Sequence, residues 1–61
     1  MTATSPAAKI RLVRELEARM ADRDPLPEDF RRVGSRWLIE YSRTVATLRA
    51  ELEAEGIEVP S

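Results

Sequence analysis

The chain has 61 residues and a net charge of −1 at pH 7. That length admits one domain, residues 1–61, burying roughly 60% of its surface at best. With no cysteine and no histidine, it has no disulfide framework, no thiolate zinc site and no usual general base.

Residues 1–5 form a short N-terminal tail leading to the first helix. Ser5-Pro6 is a helix start, with a side-chain oxygen to cap and a proline at the first helical position. Ile10, Leu12, Val13, Leu16 and Met20 then fall on one side of a 3.6-residue wheel, which predicts a helix over about 6–23. Asp24-Pro25-Leu26-Pro27 makes the connection, because a residue before proline avoids the α region.

A second helix is expected over about 27–55, from Pro27 or from Pro25 with Asp24 as its cap. Glu28 and Asp29 sit in its first turn, where the helix dipole favours acids. Its apolar positions are Phe30, Val33, Trp37, Leu38, Tyr41, Val45, Leu48 and Leu52. They keep their phase across Gly34, which argues for an unbroken helix. A break at Gly34-Ser35, giving three helices and a helix-turn-helix arrangement, is the competing topology. Gly56 at the C′ position makes Ile57 C″ and Leu52 C3, the pattern of a Schellman stop. Residues 56–61 are the C-terminal tail.

The fold class is therefore all-α, a hairpin of two antiparallel helices. Folding back at 24–27 sets Met20 near Phe30, Leu16 near Gly34 and Trp37, Val13 near Leu38 and Ile10 near Tyr41. Gly34 would then let the helices approach closely. The last ten or so residues of the second helix would overhang by about 15 Å. Leu48 and Leu52 would be uncovered, unless Ile57 and Val59 fold back over them. Acids at the end of that helix, Glu51, Glu53 and Glu55, and bases near the start of the first, Lys9, Arg11 and Arg14, would be level only between two chains. A homodimeric four-helix bundle is the expectation, since self-association is the staple left to a small chain without disulfide or metal. Trp37, Tyr41, Val45, Leu48 and Leu52 are its expected interface with a second copy or with a larger protein partner.

Chemistry is sparse. No nucleophile has a histidine to activate it, so no enzyme, cofactor, metal or small-molecule substrate is expected. Asp22, Asp24, Glu28 and Asp29 lack a calcium-loop pattern and read as helix-end acids. Segment 30–49 carries five arginines against a single acid, Glu40. Arg32, Arg36 and Arg43 line up away from the apolar stripe, flanked by Arg31 and Arg49. That is the footprint of a nucleic-acid contact or, with an Arg36–Glu40 pair, of a solvated face. Ile39 lies opposite the stripe near Ala46 and Ala50, a second, narrower contact line. The leading expectation is a small non-enzymatic protein–protein interaction module, of regulator, adaptor or inhibitor type. The alternative is a nucleic-acid-binding regulator using Arg32, Arg36 and Arg43. No apolar run approaches the ~20 residues of a membrane span. The start has no secretory pattern, so a cytoplasmic protein is expected. Nine of the ten bases are arginine, which suggests a GC-rich bacterial or phage genome.

Overall fold

A computed structural model describes residues 5–59. Residues 1–4 of the expected N-terminal tail, and Pro60 and Ser61 of the C-terminal one, lie outside the described residues. Helix α1 spans Pro6–Asp22, α2 spans Pro27–Val33 and α3 spans Trp37–Ala54, with a 3-10 turn over Gly34–Arg36 between the last two. The chain is all-helical, and α1 and α3 form the two arms of a helical hairpin.

The helix ends follow from local chemistry. Ser5 Oγ accepts the Ala8 N–H at 3.2 Å, and Pro6 opens α1. At the other end Arg23 is left-handed, with φ 54°. Its N–H donates to the Met20 carbonyl at 3.3 Å, and the Asp24 N–H to the Arg19 carbonyl at 3.0 Å. This is a Schellman closure with arginine where glycine is usual. Arg23→Gly is therefore expected to stabilise the fold by about 0.5–1 kcal/mol, because it relieves a left-handed side-chain penalty of similar size. Thermal denaturation checks this, and an unchanged or lower midpoint counts against a left-handed Arg23. At the end of α3 the expected stop is present. Gly56 has φ 76°. Its N–H donates to the Glu53 carbonyl at 3.0 Å, and the Ile57 N–H to the Leu52 carbonyl at 2.9 Å.

The second arm is not the unbroken helix expected over 27–55. Gly34 has φ 62° and ψ −141°, a conformation that is essentially glycine's alone. It ends α2 and turns the chain into α3. Nothing lies within 4 Å of where its Cβ would be. Gly34 therefore supplies a backbone angle, not the close approach to Leu16 expected of it.

The break resolves the length mismatch. Helix α1 has 17 residues and α3 has 18, roughly 26 and 27 Å at 1.5 Å per residue. They pair over most of their length. Ser42 Oγ lies 3.6 Å from Met20 Sδ, Arg49 donates to Glu17 at 2.6 Å, and Lys9 reaches Glu51 at 3.3 Å and Glu55 at 2.8 Å. Met20 is thus opposite Ser42 and not Phe30. The overhang does not exist, because α2 absorbs the residues that would have produced it.

Val13, Leu16, Trp37, Tyr41 and Val45 form the core, with Met20, Val33, Leu38, Leu48 and Val59 packed against it. Trp37 and Tyr41 meet edge to face, centroids 5.3 Å apart at 77°, an arrangement worth about 0.5–1.5 kcal/mol beyond burial. Leu52 is also fully buried. Of the two tail residues expected to fold back over Leu48 and Leu52, Val59 packs against the core and Ile57 is half-buried. No polar or charged residue is buried among those described.

Candidate interaction surface

The five residues expected at an interface are placed inside the hairpin. Trp37, Tyr41, Val45 and Leu52 are buried and Leu48 is half-buried. Helix α1 lies along α3 from Ser42 onward, and Val33 and Val59 of the same chain also pack against the core. Within one chain the stripe is core.

The charge argument for two chains changes in the same way. Lys9 holds Glu51 and Glu55 of its own chain. Its pKa is raised, chiefly by the hydrogen bond to Glu55 and further by Glu51, against a partial desolvation. These two acids therefore share one ammonium within the hairpin.

Tyr41 has a second role that its place in the apolar stripe concealed. Its hydroxyl donates to Asp29 Oδ2 at 2.6 Å and accepts the Leu26 N–H at 3.2 Å. One phenol thus ties the start of α2 to α3 and fixes the angle at the Gly34 corner. Burial, and then the bond to Asp29, raise its pKa above 10.0. A folded pKa above the unfolded one means that this contribution is intact below about pH 10 and is lost as pH climbs. Lys9 acts with the same sign. The chain has one tyrosine, so tyrosinate absorbance reads Tyr41 alone. Its midpoint is expected to be higher in the folded chain than in denaturant, and equal midpoints would contradict the buried bond. Tyr41→Phe is expected to cost about 1–2 kcal/mol, since it strands a carboxylate and an N–H.

The arginines lie outside. Arg32, at the end of α2, pairs with Asp29 at 3.6 Å. Arg32 and Arg36 line one recess with Val33, Gly34 and Glu40, and Arg43 is exposed on α3. The expected Arg36–Glu40 pair is not among the ion pairs within 4 Å of the described residues. Arg49 does not belong to this group, because it is bound to Glu17.

Among the described residues three large apolar side chains are exposed: Leu12, Phe30 at 49% and Ile39 at 57%. Phe30 is outside because Asp29 and Val33 provide the inward contacts of α2. Ile39 begins an outer line of α3 that continues through Arg43, Ala46 and Ala50. Arg36 precedes it and Glu53 follows it, and all six residues are exposed. Glu53 and Arg36, at opposite ends of the line, take part in no ion pair within 4 Å among the described residues. Ile39, Ala46 and Ala50 were visible in the sequence as a second contact line. The charged ends were not, because each looks like an ordinary surface residue until the core face is known.

No helix is long and apolar enough to cross a membrane among the described residues. No cluster of three or more acidic, histidine or cysteine side chains suited to a metal gathers among them. A scan against protein-family models gives no match, and neither a curated protein nor a solved structure matches the chain.

Proposed function

We propose that this chain is a small non-enzymatic interaction module, of regulator, adaptor or inhibitor type, acting through the outer face of α3 and the Gly34 corner. The observation that carries this is the exposure of Ile39 and Phe30 on elements that also present Arg31, Arg32, Arg36 and Arg43. Large apolar side chains interleaved with arginine are the composition enriched where proteins meet. The core stripe supports the same choice by its burial, which takes that stripe off the exposed surface of the chain. A cytoplasmic setting in a bacterium or phage goes with this function, and the cysteine-free, arginine-rich composition supports it.

The test is affinity capture from the native host with the native chain and with Ile39→Glu, read by mass spectrometry. The partner is expected to be captured by the native chain and lost with Ile39→Glu, whose melting temperature should be unchanged. Equal recovery by both chains would refute the surface.

A second function, binding of nucleic acid, is favoured by one observation: Arg32 and Arg36 share a recess, with Arg43 exposed further along α3. Glu40 lines the same recess, and the net charge of −1 opposes general attraction to phosphates. A gel shift at low and then moderate salt separates the two functions, since phosphate contacts weaken steeply with salt. A salt-sensitive shift abolished by Arg32→Ala, Arg36→Ala and Arg43→Ala together would establish the second.

A further inference from the structure

We infer that the outer face of α3 pairs with the same face of a second copy, antiparallel, about a two-fold axis between Thr44 and Val45. This presupposes that face as the contact surface proposed above, and names its occupant.

The spacing comes first. Arg36, Ile39, Arg43, Ala46, Ala50 and Glu53 follow one another by alternating steps of three and four residues, and all are exposed. That is a 3.5-residue repeat, the seam of two helices that wind around each other. The core stripe Trp37, Tyr41, Val45, Leu48, Leu52 advances by steps of four, four, three and four and keeps to α1. Helix α3 therefore has two contact faces with different periods, and only one of them is covered.

The order of residues in the seam is self-complementary. In the antiparallel register Ile39 lies level with Ala50 of the other copy, and Arg43 with Ala46. Each large side chain faces a small one, twice over, as an isologous interface requires. Arg36 lies level with Glu53 of the other copy. Both are unfavourably placed in their own helix, with a base at the start of α3 and an acid at its end. Neither has an ion-pair partner within 4 Å among the described residues. Pairing gives each residue the opposite charge and corrects both dipole mismatches together. A parallel pairing would set Arg36, Arg43 and Glu53 each against its own copy, three like-charge layers. The sequence thus discriminates orientation as well as partner.

One feature makes the seam weak. The two copies of Arg43 flank the two-fold axis, about 4.5 Å apart along the helix direction at 1.5 Å per residue. A single helix pair also buries less than the roughly 1,200–2,000 Å² of a standard interface. The expected dissociation constant of the native chain is on the order of 100 μM. The four long helices would lie in a row, α1, α3, then α3 and α1 of the other copy, without a shared four-helix core.

Sedimentation equilibrium from micromolar to millimolar concentration tests this. The native chain is expected to dimerise. Arg43→Leu should tighten the dimer about tenfold by removing the facing charges. In the Arg43→Leu background, Arg36→Glu and Glu53→Arg should each weaken self-association about tenfold or more. An equimolar mixture of those two variants should restore it, because every layer is then oppositely charged. Circular dichroism of each variant verifies its helix content. A native chain that stays monomeric to millimolar concentration, with Arg43→Leu also monomeric, overturns the second copy while leaving the face to a foreign protein. A dimer indifferent to all three substitutions overturns the face itself.

Discussion

Replacing Leu52 by alanine is expected to lower the unfolding free energy by about 2–5 kcal/mol. Leu52 has no exposed surface, so the substitution removes buried methyl groups and leaves a cavity. A chain of this size has a total stability of roughly 3–9 kcal/mol. The expected loss therefore reaches a large part of the whole, and the melting temperature should fall by tens of degrees or the chain should be unfolded at 25 °C. Thermal and urea denaturation followed by helix signal measure it. If Leu52 instead lay on an uncovered overhang, alanine would leave the monomer's stability within about 0.5 kcal/mol, as surface substitutions do. The substitution thus separates a sealed hairpin from one that needs a second chain to cover it.

Replacing Gly34 by alanine is the second large effect, expected to destabilise by about 1–3 kcal/mol. No atom lies within 4 Å of the added Cβ, so the cost is backbone conformation alone. At φ 62° and ψ −141° an L side chain is strained, and alanine also favours continuing the helix. Continuation would straighten α2 into line with α3, break the Tyr41 bonds to Asp29 and Leu26, and slide α3 along α1. Helix content should hold or rise while stability falls. Unchanged stability would mean that residues 27–54 already form one helix.

These two positions also mark how much the sequence could disclose. Features set within a few residues were legible. Ser5-Pro6 starts α1, Pro25 and Pro27 make the connection, and Gly56 stops α3 with Leu52 and Ile57 in the expected positions. The all-helical hairpin was legible too, since the 3.6-residue pattern of Val13, Leu16 and Met20 needs only local information.

The register of the hairpin was not legible. Val33, Trp37 and Tyr41 stay in phase across Gly34, and that phase predicts one helix. In the fold those residues all reach the same core although the backbone turns between them, because the 3-10 turn at 34–36 hands the stripe from α2 to α3. Phase continuity reports a common core, and it does not require a continuous helix. Once Gly34 was read as helix, the overhang, the uncovered Leu52 and the unpaired Glu51 and Glu55 followed from it, and all three disappear when α3 slides to meet Lys9.

The proposed contact surface was legible only in part. Its apolar positions Ile39, Ala46 and Ala50 stood out from the main stripe. The roles proposed for Arg36 and Glu53 needed the positions of their neighbours, because Glu51, Glu53 and Glu55 are alike in sequence and only the outer two reach Lys9. The hydroxyl of Tyr41 was hidden for a similar reason. Its ring belongs to the apolar stripe, and its partners at Leu26 and Asp29 come near only after the corner has formed.

One chain covers its own apolar stripe, and the contact surface proposed on the outer face of α3 depends on that. An isotope-filtered nuclear Overhauser experiment on an equimolar mixture of labelled and unlabelled chains measures this most directly. The Met20 methyl group and the Ser42 side chain, 3.6 Å apart through Sδ and Oγ, are expected to give a strong contact within one chain and none between chains. A Met20–Ser42 contact seen only between labelled and unlabelled chains would contradict the account, because α1 would then cover the stripe of another copy.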